Sequence, residues 1–308
     1  MSASAAPAPA VVAAHQRRDR REVLAAMALA GPAGALILLF LIGPLICIAL
    51  LSLTDYQLGA KTMRLVGLTN YVEMFGDRVF RRSLENTLIY VAVVVPLSVG
   101  LGLAAALLIE AGTSLRAFYR TVYFLPVMAT LIAMAIVWEF ALHPTLGPVN
   151  VMLQAIGFSR VDWLQDRNVV LYTLAGIGIW QSVGFNMVLF MAGLQSIPKD
   201  LYEAASVDGV SNGWDRFRTV TWPMLGPVSL FVIVITAIRS FQVFDTVQVM
   251  TKGGPNRASE VLLYTMYSEG FEFFRTGYAA AVTMVFLAFV LTIAVLKTWL
   301  LDRRVHYA

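Results

Sequence analysis

The sequence predicts an all-α polytopic membrane protein with six transmembrane helices, and three observations carry that prediction. Its 308 residues are 58% hydrophobic and only 14% charged, with a mean hydropathy of +0.72. The charges are clustered, leaving six stretches without Asp, Glu, Lys or Arg: Val23–Thr54, Asn86–Ile109, Thr121–Trp138, Asn168–Pro198, Thr219–Ile238 and Thr276–Leu296. These stretches also lack the polar stripes at every third or fourth residue that a soluble helical bundle shows. A helix needs about 20 mainly apolar residues to cross a bilayer core roughly 30 Å thick. In lipid it must also satisfy its own backbone hydrogen bonds, so each gap reads as a helix.

In chain order, residues 1–22 form a disordered cytoplasmic tail, rich in Ala and Pro up to residue 16. It closes on Arg17, Arg18, Arg20 and Arg21. The apolar run that follows exceeds the roughly 7–15 residues of a cleavable signal core, so the first helix is expected to stay attached. Residues 23–304 make up the membrane domain. Residues 55–82 and 143–167 are outer loops, the second with turn residues Pro144, Gly147 and Pro148. A third outer loop starts at Gly253-Gly254-Pro255, and Tyr264, Tyr267, Phe271, Phe273 and Phe274 suit an interfacial aromatic belt there. Residues 196–224 face the cytoplasm, as does the short end 305–308. With this topology twelve basic residues lie inside and ten outside. The positive-inside rule therefore favours it only weakly.

Composition also narrows the chemistry. The single cysteine, Cys47, excludes an intrachain disulfide. His15, His143 and His306 are far apart and show no metal-ligand spacing. The net charge is only +4, and basic residues flank apolar spans, where lipid headgroups rather than nucleic acid account for them. No nucleophile–histidine constellation is present, and the chain reads as no enzyme. A phosphate-cradling loop places Gly directly before its Lys, whereas Lys61, Lys199, Lys252 and Lys297 follow Ala, Pro, Thr and Leu.

The segment 196–224 is the most patterned part of the chain. Pro198 sets a helix start, Asp200 and Glu203 suit its positive first turn, and Gly209 supplies a left-handed cap. The result is a helix of about ten residues that presents the small side chains of Ala204 and Ala205. Ser211 is placed to cap a second short helix carrying Arg216, Phe217 and Arg218. Pro223 and Pro227 then start the fifth span, where a missing N–H costs little.

The run Glu203-Ala204-Ala205-Ser206-Val207-Asp208-Gly209, with Phe217 and Pro223 beyond it, resembles the EAA loop of permease subunits in binding-protein-dependent ABC importers. Gly193-Leu194-Gln195-Ser196-Ile197-Pro198 ahead of it fits as well. Met250-Thr251-Lys252-Gly253-Gly254-Pro255 after Phe244-Asp245 resembles sugar importers of the maltose type, as do Val66-Gly67-Leu68-Thr69-Asn70-Tyr71 and the stretch from Trp180 to Asn186. The likeness runs from about Leu24 to Arg304 and extends to compact glycerol-3-phosphate permeases. It implies a type I ABC importer permease fold in a prokaryotic cytoplasmic membrane, with both termini inside. It implies that the loop docks on an ATPase through Glu203, Ala204, Ala205, Asp208, Gly209, Phe217 and Pro223. The implied partners are a second homologous permease, two ATPase subunits that use ATP and Mg, and a soluble solute-binding protein. No cofactor is expected on this chain itself. The implied solute is a carbohydrate or polyol, with a sugar phosphate or glycerol-3-phosphate as the alternative.

For the solute path, polar residues inside spans are costly and tend to face cavities or other helices. The fifth span offers Arg239, Ser240, Gln242, Asp245 and Gln248. On a continuous helix Gln242 lies within about 60° of both Arg239 and Asp245, and those two are about 9 Å apart along the axis. Phe241 and Phe244 would flank this sector as surfaces for sugar rings. The fourth span offers Gln181, Ser182 and Asn186, of which Ser182 and Asn186, four apart on one face, either join the site or pair with the partner permease. Gly176, Gly178 and Gly184 suit close helix packing. The pattern shows no pair of half-length broken helices of the kind that marks secondary transporters.

Overall fold

A computed structural model describes residues 27–304 apart from positions 113 and 211, and apart from the side chains of 131 and 296–304. The expected tail 1–22, the end 305–308 and the Ser211 cap lie outside the described residues. Helices dominate, and among the described residues the sole β pairing is an isolated bridge between Thr54 and Leu65.

Four helices are long and apolar enough to cross a bilayer unaided: α1 (Met27–Leu51), α3 (Arg78–Ala111), α7 (Val170–Gln195) and the final helix, α12 (Thr276–Arg304), over its portion Thr276–Val295. Between α1 and α3 lies the short α2 (Thr69–Gly76). Two further spans are bent pairs. Helix α4 (Arg116–Met128) meets α5 (Leu131–Ala141) at 101°, and α9 (Gly213–Met224) meets α10 (Gly226–Phe241) at 69°. Counting each pair as one span gives six. The remaining helices are α6 (Pro148–Ala155), α8 (Lys199–Val207) and α11 (Leu262–Tyr267).

The broken spans correct the expectation of unbroken helices. Pro126 sits near the end of α4, while Pro223 and Pro227 bracket Leu225 at the α9–α10 joint. Each proline removes a backbone donor and crowds the carbonyl one turn earlier, which concentrates bending at these points. A reading based on missing charges finds the apolar length but is blind to the hinge.

Helices α3 and α7 form the centre of the molecule. A Cβ at Gly102 would lie 2.7 Å from the Asn186 Cβ, so this glycine lets the two helices touch. A Cβ at Gly178 would collide with the Tyr90 hydroxyl, and one at Gly184 with the Tyr123 carbonyl oxygen on α4. Gly176 has open space around it instead. Two of the three glycines singled out in the sequence thus allow close approach, the expected use of small residues between helices in lipid. Helix α1 stands on the outside of this assembly with its apolar side chains exposed, and α12 packs against its second half.

The segment from Gly253 to Arg275 is also not the surface loop expected. It folds back and packs α11 between α3 and α12. Asn86 on α3 donates to the carbonyl oxygens of Glu260 (2.8 Å) and Arg257 (3.1 Å), and the Thr87 hydroxyl accepts from the Leu262 amide (2.9 Å). Tyr264 is buried, so only Phe271, Phe273 and Phe274 remain as an exposed aromatic set.

This segment buries two acids, Glu260 and Glu269. Burial pushes both carboxyl pKa values up, with Arg257 and Arg275 respectively opposing the shift. A carboxyl group whose native pKa is raised binds protons more readily folded than unfolded. Its stabilising contribution is therefore complete below the ordinary glutamate range and is lost as pH rises through the elevated native value. Hydrogen exchange across residues 260–275, corrected for intrinsic rates, is expected to be slower at mildly acidic than at alkaline pH. Glu260→Gln should flatten that difference.

Candidate functional site

Two places gather the residues singled out by sequence. The first is the 196–224 segment at one end of α7. Pro198 precedes α8, Asp200 sits in the first turn, and Gly209 adopts φ +87°, a left-handed conformation that favours glycine. The Val210 amide returns to the Ala205 carbonyl (2.9 Å) and closes the helix end. The cap of the next helix is Asn212, whose side chain accepts from the Trp214 amide at 3.0 Å; this residue was missed because Ser211 beside it is an equally good capping type.

The two alanines differ in exposure. Ala204 is exposed with Glu203, Asp208 and Gly209. Ala205 is buried in the chain's own core with Ile197, Val220 and Leu225, which corrects the expectation that both present themselves outward. A core of this kind ties α8 rigidly to the α9–α10 joint. Tyr202 reinforces the tie: its hydroxyl lies 3.1 Å from the Thr221 Oγ1, and the Arg216 guanidinium sits over its ring. Phe217 stacks on Trp214 at 5.5 Å and approaches Trp222 at 6.0 Å. Pro223 is exposed at the start of the bend.

The second place is a cavity of about 230 Å³ between α3, α7 and the end of α10. Gln181, Ser182, Arg239, Ser240, Gln242, Phe244 and Asp245 line it, together with Tyr90, Gly178 and Thr246. The route to this arrangement differs from the continuous helix assumed in the sequence reading. Helix α10 ends at Phe241, Gln242–Phe244 form a turn, and helical structure resumes at Asp245. The angular positions of Gln242 and Asp245 therefore come from the turn rather than from 100° steps. Among the described residues no ion pair joins Arg239 to Asp245. The Arg239 guanidinium instead lies 4.3 Å from the Phe185 ring centre, a cation–π arrangement.

Two named residues do not line this cavity. Phe241 is buried and stacks on Phe289 at 6.3 Å. Asn186 is fully buried, donating to the Ser98 hydroxyl (3.3 Å) and accepting from the Thr236 hydroxyl (2.9 Å). It ties α3, α7 and α10 together. Asn186→Ala leaves both hydroxyls short of a partner, and is expected to cost about 0.6–2 kcal/mol. The check is a lower Tm in detergent with unchanged solute affinity.

Sequence alone does not mark Tyr90, and it marks Gly178 for helix packing rather than for lining a cavity. A lone tyrosine in the charge-free run Asn86–Ile109 was the available signal, since a buried phenol usually seeks a polar neighbour.

The profile described as "Binding-protein-dependent transport system inner membrane component" matches residues 97–307. The chain is 34% identical over 264 residues to the probable ABC transporter permease protein YurN of Bacillus subtilis (strain 168), covering 84% of this chain and 90% of that protein. It is 31% identical over 243 residues to the sn-glycerol-3-phosphate transport system permease protein UgpA of Agrobacterium fabrum, covering 79% and 82%. Its fold matches a chain in the crystal structure of a bacterial alginate ABC transporter in complex with an alginate pentasaccharide-bound periplasmic protein. That match has a TM-score of 0.80 and 25% identity, and covers 94% of this chain and 96% of that one.

The chain belongs to the family of inner membrane components of binding-protein-dependent transport systems, the permease subunits of ABC transporters. It has the all-α permease fold that the resemblance implied.

Proposed function

We propose that the chain carries a carbohydrate across a prokaryotic cytoplasmic membrane as the permease subunit of an ATP-driven importer. One observation carries this reading: an exposed short helix with the Glu203–Gly209 pattern is bolted by its buried Ala205 to the hinge of the span that borders a polar cavity. A push on α8 is thereby delivered to the α9–α10 bend, at the far end of the 16-residue α10 from Arg239 and Gln242.

In this reading 196–224 faces the cytoplasm, both termini lie inside, and Glu203, Ala204, Asp208 and Gly209 meet an ATPase subunit that supplies the ATP and Mg. A soluble binding protein delivers solute to the opposite face. A second homologous permease completes the path and covers apolar faces of this chain. The cavity residues Gln181, Ser182, Gln242 and Asp245 offer donors and acceptors to sugar hydroxyls, and Phe244 offers a ring face. The family names of relatives, one for glycerol-3-phosphate and one for alginate, support sugar-like cargo with room for an anionic group.

The test is reconstitution of this chain with its partner permease, ATPase and binding protein in proteoliposomes. ATP-dependent accumulation of a saccharide, absent when the binding protein is omitted, is the expected result. Uptake that needs neither ATP nor binding protein would reject the reading in favour of a self-contained carrier.

A further inference from the structure

Arg78, Arg82, Arg167 and Arg257 line one open cleft of about 540 Å³, at the end of the molecule opposite 196–224. Three separate segments bring them there: the start of α3, the approach to α7, and the folded-back segment after Gly253. Two acids answer part of this charge, Glu85 on Arg82 at 3.0 Å and the buried Glu260 on Arg257 at 3.2 Å. Arg78 and Arg167 have no acidic partner among the described residues. Asn168 and Asn256 add amides to the same wall. Arg257 is held in place through its carbonyl oxygen by Asn86, and its backbone adopts φ +60°.

This cluster also explains an oddity of the sequence. Ten basic residues fall on the outer side, nearly as many as inside, and four of those ten converge on this cleft. A cleft of this size falls within the range that holds small ligands, roughly 300–1,000 Å³. Guanidinium groups bind carboxylate and phosphate oxygens through paired, charge-assisted hydrogen bonds.

We propose that this cleft is an outer anion site that takes the carboxylate or phosphate group of an acidic saccharide before it reaches the central cavity. The inference rests on the importer reading, which places this end outside and assigns a carbohydrate cargo. It adds a substrate class: sugars bearing a negative charge. The central cavity has one arginine, so most of the charge recognition would occur at this outer cleft.

The experiment uses the assembled permease–ATPase complex in phosphatidylcholine nanodiscs, without the binding protein. Calorimetry compares an acidic probe, trigalacturonate, with a neutral one, maltotriose. The expected result is about tenfold tighter binding of the acidic probe, lost in Arg78→Gln/Arg167→Gln and partly kept in Arg78→Lys/Arg167→Lys. Equal binding of the two probes, or a preference that survives the glutamine pair, overturns the proposal. Retention of phosphatidylglycerol in native mass spectra that depends on these arginines, with no preference for trigalacturonate, also overturns it and assigns the cleft to lipid headgroups. In a separate arm with the binding protein added, its arginine-dependent capture without that preference does the same for a protein contact. A chain that assembles with no ATPase subunit removes the importer reading itself, a failure distinct from these.

Discussion

Ala204→Trp should abolish ATP-driven uptake while leaving the membrane domain folded. Ala204 is exposed on α8, beside Glu203 and one turn before Asp208, so a bulky side chain there disturbs nothing inside the chain. It would instead hold the helix away from a docking groove. Losing a hot-spot contact at the centre of an interface costs about 2–4 kcal/mol or more, and a side chain that prevents such contacts from forming is expected to cost a similar amount, a loss of roughly 30- to 1,000-fold in association. The measurement is co-purification of the ATPase subunit together with uptake in proteoliposomes. Retained co-purification and uptake would show that α8 is not the docking element.

The neighbouring residue separates docking from folding. Ala205→Trp enters the core formed with Ile197, Val220 and Leu225, and overpacking a tight core costs about 1–3 kcal/mol. That variant is expected to lower Tm, and Ala204→Trp is not. The pair therefore distinguishes a lost partner from a deformed loop, which a double substitution would confuse.

The second large effect is expected at Arg239. Its guanidinium lies over Phe185 at the mouth of the turn that interrupts the fifth span, and it lines the central cavity. Arg239→Met keeps much of the side-chain length but removes five donors and the charge. A hydrogen bond to a charged group contributes about 1.5–3 kcal/mol, so uptake should fall about 10- to 100-fold. Assembly with the ATPase should be unaffected, because Arg239 lies well away from 196–224 along α10. Transport at the unaltered rate and affinity would place Arg239 outside the solute path and leave it a packing role against Phe185.

The parts of the fold that could be read from sequence were those set by single-residue chemistry. Charge-free lengths located the spans because burying a charge in lipid is costly wherever it occurs. Pro198 and Gly209 located α8 because their backbone preferences are local. What escaped depended on where separate segments meet. Ala204 and Ala205 are chemically identical, and only the packing of α8 on Val220 and Leu225 decides which one faces out. The fifth span looked continuous because Gln242–Phe244 contains neither Gly nor Pro. The turn there places Gln242 and Asp245 around one cavity by a different path from the one helical periodicity assumes.

Similarly, Asn186 reads as a solute ligand in a list of polar residues within spans. Its two hydroxyl partners lie 88 and 50 positions away, and nothing local announces them. The residues after Gly253 looked like a surface loop for the same reason. Their anchors, Asn86 and Thr87, are more than 170 positions earlier.

We propose that the exposed face of α8 meets an ATPase subunit on the cytoplasmic side, and cross-linking tests this most directly. The chain has one cysteine, Cys47, so a Cys47→Ser background carrying Ala204→Cys provides a single reporter. In inside-out vesicles containing the whole complex, a short thiol cross-linker should join position 204 to the ATPase subunit, and addition of ATP should change the yield. Labelling of that cysteine by a membrane-impermeant reagent from the external face of intact cells, with no cross-link to the ATPase subunit, would contradict it.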